Sequence, residues 1–196
     1  FEADFIWRHN QMNDVAPQAE GNLTEHLPED LPIGYITEVN PAASALVRSL
    51  ADMLETGAIL LIDYGFGAAE YFHLQRNQGT LMCHYQQLAH DNPLTHVGLQ
   101  DITTHVNFTE IALACNRIPM GFIGYVSQAQ FLINCGILNI LQKHSPEDIE
   151  YMKLAAAAQK LLSPAEMGEL FKVICFSKNI SEPLIGFVQG DKAHTL

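Results

Sequence analysis

The pattern of hydrophobic and polar positions is clearest over residues 40–67. Asn40 and Pro41 suit the N-cap and first turn of a helix. Apolar residues then recur at helical spacing, at Ala43, Leu46, Val47, Leu50 and Leu54. Gly57 can end this helix in the left-handed conformation. Residues 59–62 form a continuous apolar run, which is typical of a parallel strand covered on both faces. The pattern therefore predicts a helix followed by a central strand.

The predicted strand is followed directly by Asp63, Tyr64 and Gly65. In open α/β sheets, ligands bind outside the carboxyl ends of the strands, so Asp63 is the first candidate for a functional residue. The alternative is that Asp63 caps a loop and that Gly65 and Gly67 are turn residues. The residues alone favour neither interpretation. Glu38 lies just before the predicted helix, where we expect its charge to stabilise the helix N-terminus.

The rest of the chain alternates between strand and helix patterns, which predicts an α/β domain. The predicted strands cover residues 1–7, 80–86, 121–126 and 171–176. The predicted helices cover residues 107–117, 127–136 and 145–162, and each begins with an Asn or Ser that can cap it. Residues 18–32 are expected to form a surface loop, and residues 186–196 a loose end.

Residues 66–106 form a long region without a regular pattern, and regions of this length usually carry function. The region contains His84, His90, His96 and His105, with Asp91 and Asp101 among them. Their spacing matches no metal-binding signature that we can justify. We therefore expect polar loop or substrate-side residues here, and no metal.

The composition restricts the classes of function and partner that the chain can have. The chain has 196 residues, enough for one domain with its own core, and a formal net charge of −12. This charge argues against nucleic acid and favours basic partners, such as Arg-rich or Lys-rich polypeptides. The four cysteines form no CxxC pair and are expected to be reduced core residues. No apolar run is long enough to cross a membrane. The chain starts without Met or a leader pattern, which predicts a fragment of a longer protein.

Several segments, in consistent order over residues 33–173, resemble the C-terminal half of the MidA-like family of S-adenosyl-L-methionine (SAM)-dependent methyltransferases. They are ITEVNPAA, GAILLIDYG, RNQGTL, GLQDITTHVNF, GYVSQAQFLINCG and MGELFKV. This family includes a mitochondrial complex I assembly factor that methylates a protein arginine. The resemblance implies the C-terminal part of a Rossmann-like class I methyltransferase sheet, with residues 66–106 as an inserted substrate-side region of a single domain, 1–196. GAILLIDYG would be the fifth strand, GFIGYV the sixth, and LFKVICF the seventh, antiparallel and inserted between its neighbours.

The resemblance also implies roles for individual residues. Asp63, Asp101 and His105 would be catalytic, with the two carboxylates orienting an arginine guanidinium. Substrate-binding residues would be Tyr64, Gly65, Arg76, Thr80 and Thr103. For Asp101 the alternative is a structural turn acid, and for His105 a buried histidine whose hydrogen bonds are satisfied. The family's glycine-rich SAM loop is expected upstream of Phe1, so most cofactor contacts would lie outside the chain.

Two functions from different classes follow. The first is SAM-dependent methyl transfer to a protein arginine, for which the resemblance suggests a respiratory-complex subunit as the substrate. The second is an assembly or binding module that holds a basic protein without catalysis. We expect the bacterial cytoplasm, or the mitochondrial matrix in a eukaryote. We also expect an exposed apolar sheet edge and self-association into a homo-oligomer.

Overall fold

The computed structural model describes residue 28 and residues 31–196. The predicted strand over residues 1–7 and most of the predicted loop over residues 18–32 lie outside the described residues. The chain divides into two compact units. One consists of the described residues up to Ala42 together with Phe72–His105, and the other of Ala43–Tyr71 with Val106–Leu196. We call them the small unit and the large unit, and the prediction of a single domain over residues 1–196 stays a prediction.

The large unit contains a four-stranded mixed sheet. Its strands are β1 (Gly57–Phe66), β5 (Val106–Asn107), β6 (Gly121–Ser127) and β7 (Phe171–Lys178). Their order in the sheet is β5-β1-β7-β6. β7 lies between β1 and β6 and runs antiparallel to both, whereas the short β5 is parallel to β1. The sheet confirms the antiparallel, inserted last strand that the family resemblance implied.

Several helices surround this sheet. They are α1 (Pro41–Met53), α2 (Ala68–Tyr71), α3 (Phe108–Asn116), α4 (Gln128–Asn134), α5 (Ile137–Leu141), α6 (Ile149–Leu162) and α7 (Met167–Leu170). Of these, α2, α3, α4 and α7 contact its strands directly. The predicted caps are confirmed at two of the helices, but the prediction of Ser145 as the start of α6 is wrong, because this helix begins at Ile149 after Asp148. The Asn107 side chain accepts hydrogen bonds from the N–H groups of Thr109 and Glu110, and the Ser127 hydroxyl accepts one from Gln130 N–H. Gly136 has φ +84° and ends α4, as the sequence predicted.

The core of the large unit forms where α1 and α3 meet one face of the sheet. Val47 from α1 and Phe108, Ile111 and Cys115 from α3 pack against the sheet side chains Tyr125, Ile174 and Phe176. On β1, Ile59 is buried, but Leu60 and Ile62 are 44% and 48% exposed. The continuous apolar run is therefore a strand, but the expectation that both of its faces are covered is wrong for the described residues.

The small unit contains a three-stranded antiparallel sheet in the order β3-β2-β4. Its strands are β2 (Met82–Tyr85), β3 (Leu88–His90) and β4 (Asp101–Thr103), and a short 3-10 helix covers Leu74–Arg76. Gln86 and Gln87, at the turn between β2 and β3, both have positive φ, as a two-residue hairpin turn of type I′ requires. Part of the region that lacked a pattern thus has a regular structure of its own.

Three local predictions are wrong. The helix α1 ends at Met53, so Gly57 begins β1 and is not the helix stop. Leu46, assigned to the buried face of α1, is exposed. The tail is docked rather than loose, because Phe187 packs against Gly124 and Leu196 against the core. Within the described residues, no helix is long and apolar enough to cross a membrane.

Candidate functional site

The predicted site residues of the large unit, Asp63, Tyr64 and Gly65, lie within the last four residues of β1. The strand continues to Phe66, so the prediction that it ends before Asp63 is wrong. Asp63 is exposed, and its Oδ1 accepts a hydrogen bond of 2.8 Å from Tyr64 N–H. The Tyr64 ring packs edge-on against Phe171 of β7, with ring centroids 5.5 Å apart. Gly65 is buried beside β5, where a Cβ would lie 2.1 Å from Val106 O. Glycine is thus required at position 65 because the backbone of β5 approaches so closely.

The small unit is organised around the carboxylate of Glu38. Glu38 Oε1 accepts hydrogen bonds from the N–H groups of Thr80 and Leu81, at 2.8 and 2.9 Å, and Oε2 accepts one from the Thr80 hydroxyl at 3.1 Å. Gly79 has φ +78°, and a Cβ there would lie 2.2 Å from Glu38 Oε1. The carboxylate therefore fixes the loop through charge-assisted hydrogen bonds, a contact that the sequence did not reveal.

Thr80 continues this network into the DITTHVNF segment. Its hydroxyl, which donates to Glu38, also accepts a hydrogen bond of 3.0 Å from His105 N–H. The Thr103 hydroxyl donates to Met82 O across the sheet at 3.2 Å. In the small unit, Thr80 and His105 thus belong to the network of Glu38, and Thr103 is held separately by the backbone of Met82.

Two further predicted site residues occupy other positions in the small unit. Asp101 is exposed at the start of β4, where it is paired with His84 of β2. Arg76 is half-buried at the end of the 3-10 helix, close enough to Tyr35 for its charge to act on the phenol. Burial raises the pKa of Tyr35, with the Arg76 charge opposing that rise. Asp101 lies in a strand, and Asp63 belongs to the other unit.

The histidines of the small unit form ring contacts. His96 stacks on Tyr85 with ring centroids 4.1 Å apart, and His90 meets His96 edge-on at 6.4 Å. Across residues 31–196 and residue 28, no group of three or more His, Cys, Asp or Glu side chains could hold a metal ion.

The cysteines are all free thiols. Burial raises the pKa of Cys115 to about 12 and that of Cys175 to about 11, so neither forms a thiolate at neutral pH. Cys83 is buried as well, as expected of a core cysteine. Cys135 is exposed, so the core assignment is wrong for this residue.

The large unit also contains a cavity of about 450 Å³ that the sequence did not predict. It lies where β1 and β6 end, beside Phe66, Tyr125 and Lys172. The tail residues Lys192, His194 and Thr195 form another wall. Lys172 is only 7% exposed, and its Nζ donates hydrogen bonds to the backbone carbonyls of Glu169 and Leu170. One signal for this site was available, because Lys172 interrupts an otherwise apolar strand.

In this cavity, burial and the nearby charges of opposite sign act in opposite directions on each of two pKa values, those of Lys172 and Glu169. Burial lowers the pKa of Lys172, while the nearby carboxylate of Glu169 opposes that change. For Glu169, burial acts to raise the pKa, but the hydrogen bond and charge of Lys192, together with the Ser127 hydroxyl and the charge of Lys172, outweigh it, so the pKa lies below its ordinary value. Lys192 Nζ and Glu169 Oε2 are 2.7 Å apart. Both lysine–carboxylate interactions thus lie at the carboxyl edge of the sheet, where ligands of α/β proteins bind.

Comparison with protein families identifies the group to which the chain is related. A family model described as "Putative S-adenosyl-L-methionine-dependent methyltransferase" matches residues 4–126, more than half of the chain. The chain belongs to this methyltransferase family. The match includes β1 to β5, α3 and most of β6, so both the Glu38 network and the end of β1 lie within it. A search of the curated proteins found no match.

Two solved structures from Burkholderia thailandensis are similar to this methyltransferase-family chain. One is a COG1565 superfamily member crystallised with S-adenosyl-homocysteine, at 50% sequence identity and a TM-score of 0.82. The other is a native crystal structure of a protein from the same superfamily, at 50% identity and a TM-score of 0.83. Each alignment covers 85% of this chain, but only 43% and 45% of the respective neighbour. The chain therefore spans less than half the length of these relatives, and its fold is that of a Rossmann-like methyltransferase.

The cofactor of this methyltransferase family is SAM. A glycine-rich turn after a strand can hold such a cofactor, and Gly65 near the end of β1 and Gly67 directly after it lie at such a position. Both glycines are in contact with protein backbone. A Cβ on Gly67 would lie 2.0 Å from Thr195 O, and Gly65 faces Val106 O. This turn therefore does not fit SAM, and we assign no cofactor contact to it.

Proposed function

We propose that the protein to which this chain belongs transfers a methyl group from SAM to a protein arginine. The observation that carries the proposal is the match of residues 4–126 to the methyltransferase family, and a similar structure holding S-adenosyl-homocysteine supports it. SAM supplies the methyl group. The residues of this chain bind and orient the side chain that accepts it.

An arginine substrate is supported by the chemistry of the predicted site residues. A guanidinium is protonated and weakly nucleophilic, and carboxylates orient it by paired hydrogen bonds. Asp63 in the large unit and Asp101 in the small unit are exposed carboxylates, and each is proposed by itself as a guanidinium contact. The net charge of −12 favours a basic polypeptide as the substrate.

The remaining site residues are proposed to position the substrate. His105 and Thr80 are linked through the hydrogen bond from His105 N–H, and Thr80 is held by Glu38. Thr103 is held by Met82 O. These residues would keep the loop and β4 in place while Asp101 binds the guanidinium. Tyr64 and Arg76 are proposed as further substrate contacts.

The test is a methyl-transfer assay on the full-length gene product with isotope-labelled SAM and two peptides of equal charge, one rich in arginine and one in lysine. We expect label in the arginine peptide only. Asp101→Asn should lower turnover at least about 100-fold, as loss of a catalytic acid or base typically does. Asp91→Asn, an exposed residue of the same unit, is the matched control and should keep full activity.

Other outcomes would contradict parts of the proposal. Label in the lysine peptide would overturn the arginine assignment. Full activity of Asp101→Asn would exclude the role of Asp101. Binding of the arginine peptide without any methyl transfer would support the alternative function, a non-catalytic module that holds a basic protein.

A further inference from the structure

The cavity of the large unit is lined by charged side chains that have no role in the proposed methyl transfer to arginine. Its walls combine apolar side chains, such as Phe66 and Leu170, with the charged groups of Lys172, Lys192 and Glu169. Its volume of about 450 Å³ falls within the range of small-molecule sites. Such a combination of apolar walls and a few polar groups is typical of a ligand site.

The acceptor groups of the cavity are largely engaged. The Glu169 carboxylate accepts hydrogen bonds from Lys192 Nζ and from the Ser127 hydroxyl. Glu70 lines the exposed rim, and its negative charge acts on both Lys172 and Tyr125. Glu169 is thus already paired with a cation, Lys192.

The hydroxyl of Tyr125 and the ammonium group of Lys192 remain available to a ligand of the cavity as hydrogen-bond donors. Tyr125 is only 1% exposed, and its hydroxyl has no hydrogen-bond partner among the described residues. Leaving a buried hydroxyl unsatisfied costs about 1–3 kcal/mol, so a ligand acceptor at this point would be favourable. Burial raises the pKa of Tyr125, and the charge of Glu70 raises it further, so the phenol keeps its proton and can donate. Lys192 has three protons on Nζ, and Glu169 accepts one of them.

We propose that this cavity binds a small organic monocarboxylate whose oxygens accept hydrogen bonds from Tyr125 Oη and Lys192 Nζ. The apolar part of the ligand would lie against Phe66 and Leu170. A monoanion is favoured over phosphate, because the repulsion from Glu70 and Glu169 at the cavity grows with the negative charge of the ligand. The proposal does not rest on methyl transfer.

The test is calorimetric titration of the 196-residue chain with butyrate and with benzoate, at constant ionic strength. We expect binding in the millimolar range or tighter, and no binding of butyramide or benzamide, which have the same shapes without the charge. Tyr125→Phe removes only the hydroxyl and should weaken binding about fivefold, the equivalent of one hydrogen bond. Tyr151→Phe in α6 is the matched control, because Tyr151 does not line the cavity.

Several results would overturn the proposal, and four of them come from calorimetric titrations. They are no binding of either carboxylate, equal binding of the amides, equal binding by Tyr125→Phe, and tighter binding of inorganic phosphate. Should Tyr125→Phe fail to fold, Lys192→Gln in the tail tests the second donor, and its unchanged affinity would also overturn the proposal. Displacement of the carboxylate by S-adenosyl-homocysteine would assign the cavity to the cofactor, which again contradicts an independent site.

Discussion

Glu38 shows how one residue can organise a unit. Its carboxylate receives hydrogen bonds from Thr80 and Leu81, more than 40 positions along the chain. The sequence pointed to a different role, because Glu38 precedes a helix and carboxylates are favoured there. The structure adds partners that only become neighbours after folding. The residue therefore holds the loop that carries Thr80.

The first prediction concerns Glu38→Gln. An amide has one acceptor oxygen, and its NH₂ group would face the N–H donors of the loop. We expect a loss of about 2 kcal/mol in the stability of this loop, since hydrogen bonds to charged groups contribute about 1.5–3 kcal/mol each. Hydrogen exchange at Thr80 and Leu81 N–H should accelerate accordingly. Glu182→Gln at an exposed position is the control, and equal exchange rates in both variants would refute the role of Glu38.

The second prediction is a pH dependence at Glu169. Burial opposes ionisation, but the interactions with Lys192 hold the pKa of Glu169 below its ordinary value of 4.5. The ion pair therefore stabilises the folded state above pH 4.5, and this contribution is lost as the pH falls through the lowered pKa. The contribution is below about 1 kcal/mol, because both side chains are more than a third exposed.

Denaturant unfolding of the wild type and Glu169→Gln between pH 7 and pH 3 measures this effect. We expect the variant to be less stable at pH 7 and the difference to shrink below pH 4.5. Glu147→Gln provides a control at an exposed position. If the difference in the free energy of unfolding between the wild type and Glu169→Gln grew as the pH fell, the predicted direction of the pH dependence would be wrong.

At the scale of elements, the tail is a structural part of the large unit. The Asp191 carboxylate accepts a hydrogen bond of 2.9 Å from Tyr125 N–H, and Lys192 N–H donates to Tyr125 O at 2.6 Å. The ring of Phe187 packs against Gly124 of β6 and lies edge-on to Phe131 of α4. These contacts place Lys192 in the wall of the cavity.

The third prediction tests this docking with Gly124→Ala. The added Cβ would lie 2.7 Å from the Phe187 ring, and the tail would have to shift. Overpacking of this kind costs about 1–3 kcal/mol, so the midpoint of thermal unfolding should fall and proteolysis near Phe187 should increase. Gly121→Ala on the same strand is the matched control, because its Cβ would make ordinary contacts at 3.7 Å. Identical behaviour of the two variants would contradict the packing argument.

At the scale of the whole molecule, one apolar face of β1 is exposed. Leu60 and Ile62 point to this face, while on β7 the neighbouring Cys175 and Val173 are fully buried. Opposite β7, the described strands pair with β1 only at Gly65 and Phe66, through β5. Exposed apolar strands of this kind favour association with another chain.

The fourth prediction is that this chain self-associates through β1. Light scattering after gel filtration should show a mass that rises with protein concentration. The double variant Leu60→Lys, Ile62→Lys should shift the chain toward the monomer, because lysines oppose strand association. Met53→Lys changes an exposed apolar residue of α1 and serves as the control. A wild-type chain that is monomeric at every concentration would contradict the prediction.

The sequence by itself determined the elements whose signals are local. α1, α3, β6 and β7 follow from apolar periodicity, and the caps Asn107 and Ser127 follow from residues that bond to backbone groups two or three positions away. The order and direction of the last strands came from the family resemblance. The strands β3, β4 and β5 have two or three residues each and could not be predicted, since such short strands form only beside a partner.

Only the tertiary structure determined the contacts between residues that are far apart in the sequence. Glu38 binds Thr80, and the cavity assembles from Phe66, Tyr125, Lys172 and Lys192. No periodicity records these contacts, because each depends on how separate elements pack. The exposure of Leu60 and Ile62 also depends on packing, because a continuous apolar run in the sequence does not show whether both faces of the strand are covered. Local chemistry determined where the elements begin and end, and packing determined which side chains meet.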